Sequence, residues 1–429
     1  MKMGKISLQD ARHLSMRTGL GARWKDIQRY QNLSRKKSVH YAVYSSSTRW
    51  VLTPPKLAKW HSWDSKQSAQ QRRSLYTRLN RDKQILREWS VQNMLRSPYP
   101  LTERMVLFWH NHFTSSLNKV NQPNLLLKQN LLFRRHGLGN FRQLLHGISR
   151  DPAMLIYLDN DYSKMEKPNE NFARELLELY TLGEGNYTET DIRAVAKAFT
   201  GWTVDRANAR FVFRKDLHDN SVKYFMGKKG RFNGNHIIDI LLKNPETAET
   251  IAKKFWYEFV SDEKPNPYII RRWGNIFRDA KYDIRSLLVT VLNSSEFWSD
   301  RNREEKIKSP IELIVGTSRS LGLKSLKPSQ IINICDALGQ KIMTPDTPEG
   351  YLGGQDWIDT FTLPTRINLM ALFINKAHHQ ELARIPDLSF EYNKNWLLAR
   401  KNINPIPASA SNRKQKLHAL LTDPAYQLT

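Results

Sequence analysis

The strongest constraint on this 429-residue chain is the agreement between helix punctuation and apolar spacing through its middle. Thr188 and Asp191 form a capping-box pattern, and the run they open puts Ile192, Val195, Ala196 and Phe199 on one face before Gly201 ends it. Ser309-Pro310-Ile311-Glu312 repeats the logic, with a proline at the first helical position ahead of Ile314, Val315, Ser318 and Leu321. Apolar residues recur at helical spacing across 237–243, 246–260, 267–279 and 284–298. These signals predict an all-α, mainly helical fold class in which helix packs on helix. Residues 202–227 depart from it: Phe211 and Phe213, then Val222, Tyr224 and Met226, alternate with polar residues around 216–220, predicting a small β-hairpin insertion. Residues 339–364 are rich in Gly, Pro and Asp and lack an apolar period, so they read as an irregular Gly-rich loop, either functional or a packed surface Ω-loop. The expected organisation is a basic N-terminal helical region over 1–98, a helical core over 99–325, a C-terminal helical part over 326–402, and a linker with a basic tail over 403–429.

Charge is unevenly spread. The formal net charge is +26, and residues 1–100 hold 21 Lys+Arg against 5 Asp+Glu. A surface of that sign attracts polyanions such as nucleic acid, anionic glycans or lipid head groups, or an acidic partner protein. Residues 151–191 reverse it, with ten acids against Lys164, Lys167 and Arg174. No stretch approaches the length of uncharged apolar sequence that crosses a bilayer, and Met1-Lys2-Met3-Gly4-Lys5 runs into polar sequence, so the default expectation is a soluble, cytoplasmic protein. The single cysteine, Cys335, excludes an internal disulfide and a cysteine-based zinc cage. There is no P-loop, dinucleotide-binding glycine fingerprint, HExxH pair or GxSxG elbow, and no recognisable helix-turn-helix or RNA-binding signature.

Two segments concentrate chemistry. Thr102–Thr114 is apolar nearly all round, which predicts a buried helix, and it contains His110 and His112. A buried imidazole needs a hydrogen-bond or metal partner. Two residues apart on a helix, these rings point about 200° away from each other, so they share an ion only if the helix ends or distorts between them. The second segment, 168–183, reads as a helix capped by Asn169 and stopped by Gly183. It carries Glu170, Asn171, Arg174, Glu175 and Glu178, with Asn171, Glu175 and Glu178 as a polar stripe beside the apolar one. Carboxylates three apart suit a hard divalent cation or a shared proton, and an imidazole from another helix completes such a site; a solvated glutamate row is the plain alternative. His218, Asp219 and Lys223 form a third polar group at the tip and return of the hairpin, expected as exposed loop residues. Arg366, Asp159 and Asp161 read as structural salt-bridge residues.

Taken together, WHNHF at 109–113, DPAMLIYLDN at 151–160, PNENFARELLELYTLG at 168–183, YTETDIRAVAKAFTGW at 187–202, HDNSVK at 218–223 and SPIELIVG at 309–316 resemble the bacterial family called domain of unknown function 1800. The similarity extends to HLSMRTGLGAR at 13–23, to Gly339-Gln340 and to GYLGGQDWI at 350–358. It points to His110, His112, Asn169, Glu170, Asn171, Arg174, Glu175, Glu178, Gly201, Trp202, His218, Asp219, Lys223 and Trp357, and implies no catalytic or metal role for any of them. The resemblance also implies a sulfatase/phosphatase-like companion protein of the DUF1501 type, and a periplasmic location for exported members. Tyr351 stands where the glycine-rich loop of the family more often presents Trp. Three expectations follow: a buried His/Glu site that is either a polar site or a divalent-metal centre, with the metal ion as its cofactor in the second case; a non-catalytic helical adaptor; and polyanion or nucleic-acid binding through the basic N-terminal region. Trp202, Tyr351, Trp357 and Arg366 are the loop candidates.

Overall fold

A computed structural model describes residues 4–47, 52–61, 66–383, 385–386, 390–407 and 409–429; Met1–Met3 of the N-terminal reading and Ala408 of the linker lie outside them. The described chain is mainly helical, with two small antiparallel two-stranded sheets. The punctuation predicted from sequence is where the helices begin. Thr188 caps the helix Glu189–Ala198 with Asp191 reciprocating, and Ser309 caps Pro310–Leu321 with Glu312 reciprocating. Asn169 caps the acidic helix, Glu170–Glu178, by accepting from the Phe172 amide. That helix ends five residues before Gly183 (φ +82°), because Leu179–Leu182 turn back and their amides bond to carbonyls of the last helical turn.

The hairpin expectation holds with altered pairing. Phe211 and Phe213 lie on β2 (Arg210–Phe213), which pairs backwards with β1 (Trp202–Asp205), while Tyr224 lies on β3 (Lys223–Phe225), which pairs forwards with β4 (Lys228–Gly230). The chain therefore makes two hairpins in succession, separated by a short 3-10 turn at Lys215–Leu217. Alternation of side chains identifies strands but not their partners.

The helix containing WHNHF runs from Pro100 to His112 and is buried along most of its length. Trp109 is wholly buried; its indole N–H donates to the Gly137 carbonyl at 2.8 Å, and its rings meet Phe113, Phe141 and Phe255. Gly137 is required there, because a Cβ would lie 2.7 Å from the indole. The N-terminal end of this helix is polar and buried too. Glu103 receives both terminal nitrogens of Arg134 at 2.7 Å, and Arg104 pairs with Glu258 and Glu312, each at 2.8 Å.

The Gly-rich segment is irregular apart from the 3-10 turn Gly354–Trp357, and it is tied to the helices at several points. Gln340 accepts from the Ile311 amide at 2.8 Å, and Arg87 donates to the Ile342 carbonyl at 2.9 Å while pairing with Asp336. The Leu117 amide donates to the Met343 carbonyl at 2.9 Å. These bonds satisfy main-chain groups that a loop lying on a protein surface otherwise leaves to water.

Candidate functional site

Helical geometry alone separates the two histidines. His110 turns towards Phe133, with ring centroids 6.5 Å apart, while His112 turns into a box formed by Phe113 (4.4 Å), Trp109 (5.7 Å), Tyr180 (5.8 Å) and Phe108 (6.3 Å). Tyr180 follows the acidic helix, so the WHNHF segment and the 168–183 segment do meet, through an aromatic ring. Both nitrogens of His112, and Nε2 of His110, are buried without a protein hydrogen-bond partner. Burial pushes the His110 pKa down to about 4. His112 is held well below the ordinary imidazole value by burial first and by the charge of Lys254 second, with the Tyr180 main chain offsetting part of the shift. Both rings are therefore neutral at physiological pH, each with one donor and one acceptor nitrogen.

The acids of residues 151–191 divide into spent and unspent. Asp151 caps the helix Pro152–Tyr157 and accepts from Gln129 at 2.9 Å; Asp159 pairs with Lys119 at 2.7 Å, and Asp161 with Arg206 at 2.8 Å. Asp191 closes its capping box, Arg174 is held by both oxygens of Glu189, and Glu178 accepts from the Tyr187 hydroxyl. The salt-bridge reading of Asp159 and Asp161 is thus realised. Among the described residues the Glu175 side chain makes no hydrogen bond or ion pair. Its pKa is raised by burial, then by Glu178 and by Glu349 of the Gly-rich segment, and its charge is felt at Tyr157 and Tyr180. Glu170 and Asn171 are exposed, Asn171 reaching the Leu158 carbonyl at 3.4 Å.

Residues that sequence reading missed complete the junction. Asn111, between the two histidines, reads the main chain of Tyr351 in both directions: its Oδ1 accepts from the Tyr351 amide at 2.7 Å, and its Nδ2 donates to the Tyr351 carbonyl at 3.2 Å. Gly350 (φ +78°) permits this approach, since a Cβ there would stand 2.4 Å from Asn111 Oδ1. Lys254 on the helix Pro245–Phe259 is half-buried, its pKa lowered by burial and by Lys253 and partly restored by Glu349. The asparagine stood inside the recognised motif beside a glycine-rich block, which was its available signal; Lys254 had none.

Other candidates are placed elsewhere. His218, Asp219 and Lys223 are buried rather than exposed, because the segment between the hairpins folds inwards. His218 Nδ1 donates to the Thr200 carbonyl at 2.9 Å, and the Asp219 amide donates to the Thr200 hydroxyl at 2.8 Å. The Lys223 ammonium donates to the carbonyls of Asp219 and Ser221, and no hydrogen bond or ring contact joins this group to His110 or His112 among the described residues. Trp202 is a core residue of β1 packed on Phe199 and Phe211, not a loop residue. Tyr351 donates its hydroxyl to the Lys341 carbonyl and its ring lies 5.9 Å from Trp357, which is nearly buried. Arg366 lies in the helix Thr362–Lys376, wholly buried, and donates to Gln427 Oε1 at 2.9 Å and to the Lys308 carbonyl rather than to a carboxylate.

The expected divalent-metal centre is not assembled. No group of three or more His, Cys, Asp or Glu side chains placed to hold a metal ion occurs among the described residues. The physical reason is the divergence of the two histidines, together with the engagement of Glu178 by Tyr187. No helix of the described residues is long and apolar enough to cross a membrane. No curated protein and no solved structure shows significant similarity to the chain. The sequence does match one family, proteins of unknown function (DUF1800), over residues 13–428, and the chain belongs to that family.

Proposed function

We propose that the junction of the WHNHF helix, the acidic helix and the Gly-rich segment is a buried polar binding site competent for acid/base chemistry, built around His112, Glu175 and Lys254. One observation carries this reading: His112 is buried among aromatic rings and, among the described residues, no side chain bonds to either of its nitrogens, the Tyr180 main chain being the group that favours its charged form. An orphaned buried polar group costs about 1–3 kcal/mol unless a water or a ligand satisfies it, so these nitrogens call for such a partner. The charge of Lys254, a half-buried lysine with a lowered pKa, is felt at His112, and Glu175, a half-buried carboxylic acid with a raised pKa, is felt at Tyr180 of the same aromatic box; both are shifted towards neutral pH as proton transfer requires. A small polar ligand held at this junction would give His112 hydrogen bonds and Lys254 a counter-charge. A DUF1501-type sulfatase- or phosphatase-like protein is the companion that the family resemblance supports.

The test separates a ligand site from the adaptor reading, in which the same residues serve only to hold helices together. Thermal shifts of wild type, His112→Gln and Glu175→Gln are read against phosphate monoesters, sulfate esters and dicarboxylates. The site reading expects one class to stabilise the wild type and neither variant, with all three proteins folded. Variants that lose stability while no class shifts the wild type leave the adaptor reading standing.

A second reading rests on a separate surface. Arg72, Arg73, Arg78 and Arg81 are exposed on the first half of the helix Ala69–Arg96, and none makes an ion pair among the described residues. Polyanion binding there predicts affinity for a single-stranded oligonucleotide that falls steeply with added salt and is lost when the four arginines are replaced by glutamine; salt-insensitive binding removes it.

A further inference from the structure

The helix Ala69–Arg96 packs on the rest of the protein chiefly through its second half. From Ala69 to Arg81 only Leu75 and Leu79 are buried, and every other side chain is exposed. That stretch contains no acid. Asp82, the first acid to follow, is buried and already taken: it is bonded to His61 at 3.1 Å and accepts from the Ala58 amide at 3.0 Å. Arg78, one helical turn before it, therefore gains no ion pair from it. Like charges three or four residues apart destabilise a helix slightly, so Arg78 and Arg81 contribute nothing to holding this element together.

Tyr76 stands among the arginines. It is 58% exposed, and among the described residues it makes no hydrogen bond, ring contact or cation contact. Arg73 and Arg72 precede it by three and four residues and Asn80 follows by four, the spacings at which helical side chains are neighbours, with Cβ atoms about 5–6 Å apart. An aromatic face open to solvent between cations suits a strand with unpaired bases, which stack on the ring while the guanidiniums take the phosphates. Other polyanions match less of this surface. A sulfated glycan has the charge but no flat face to stack, and a duplex keeps its base faces against one another. A bilayer surface takes up exposed apolar side chains, and Tyr76 apart this stretch exposes no large one.

We propose that the first half of this helix binds single-stranded nucleic acid, with Tyr76 as the platform for one base and Arg72 and Arg73 on the adjoining phosphates. Arg78 and Arg81, turned to the other side by the helical period, add to the positive field that draws the strand in. The inference rests on the reading of these arginines as a polyanion surface and narrows it to a ligand with free bases.

The full chain is titrated with oligo(dT), with an abasic strand of equal length and backbone charge, with the oligo(dA)·oligo(dT) duplex, and with vesicles containing phosphatidylserine. Oligo(dT) is expected to bind about 5- to 100-fold more tightly than the abasic strand, the range that one stacked base supplies. Tyr76→Leu should lower the oligo(dT) affinity to that of the abasic strand and leave the abasic affinity unchanged, while Tyr76→Phe keeps the preference. Because the side chain is exposed, neither variant should shift the melting temperature. The proposal is overturned if wild type binds the two strands equally, if Tyr76→Leu retains the preference, or if the duplex or the vesicles bind more tightly than oligo(dT). Equal binding of both strands that is lost with the four arginines would leave the polyanion reading standing; a wild type that binds neither strand removes both.

Discussion

The two ends of one helix treat buried polarity in opposite ways. At the start of Pro100–His112, Glu103 is joined to Arg134 by two bonds of 2.7 Å, and Arg104 is shared between Glu258 and Glu312. At its end, His112 lies among aromatic rings with no side-chain partner for either nitrogen, and His110 has a buried Nε2 in the same condition. The paired end spends its charge on holding helices together. The unpaired end holds polar groups in reserve, which costs stability and leaves hydrogen-bonding capacity for something else.

The largest test of this contrast is Glu103→Gln. Leaving Arg134 charged and half-partnered in a dry interior should cost about 3–5 kcal/mol in urea unfolding, and replacing both partners by apolar residues of similar volume should recover most of it. An effect under about 1 kcal/mol would mean that the paired end is not structural. Next in size is Gly350→Ala, which forces a side chain into positive φ and against Asn111; about 2 kcal/mol is expected, with the segment 339–364 becoming susceptible to limited proteolysis before the helices do. His112→Leu should move the other way. Removing an unsatisfied imidazole at nearly constant volume should leave stability unchanged or raise it by about 1 kcal/mol, and a loss of that size would show instead that His112 carries a structural bond.

The two ends should also separate on the pH axis. Glu312, at the paired end, has its pKa lowered to about 2, chiefly by Arg104 working against burial, so its contribution is full above the unfolded value of 4.5 and lost as pH falls towards 2. His110 is lowered to about 4 from 6.5, so the unfolded chain binds the extra proton between those values, and stability falls as pH drops from about 6.5 to about 4. His110→Gln should make that upper window shallower, the remaining slope belonging to His112 and His13, and leave the lower one intact. Equal slopes in variant and wild type would place the histidine in water. The smallest effect belongs to Arg174→Ala, whose partner Glu189 is solvent-exposed; the melting temperature should not change measurably.

Much of the architecture was legible in the residues themselves, because helix starts are local. Thr188 with Asp191, Ser309 with Glu312, and Asn169 ahead of its helix each satisfy free amides within three residues, and nothing distant can easily override such a bond. Divergence of His110 and His112 was likewise fixed by 100° per residue, whatever the surroundings. Membership of the DUF1800 family followed from motifs that stand in order along the chain.

What the tertiary structure decided was which polar groups are already used. Glu175 and Glu178 share a helix face and a residue type, yet only the fold brings Tyr187 back to take Glu178 and leaves Glu175 unpaired. His218 and Asp219 read as exposed loop chemistry until the segment between two hairpins turned inwards on Thr200. Asn111 and Gly350 are separated by 239 positions, and their fit depends on where a loop without periodicity comes to rest. Local bonds are written into neighbouring residues and can be read there; the remaining hydrogen-bonding capacity of a buried group depends on partners from distant parts of the chain, and packing alone determines which of them arrive.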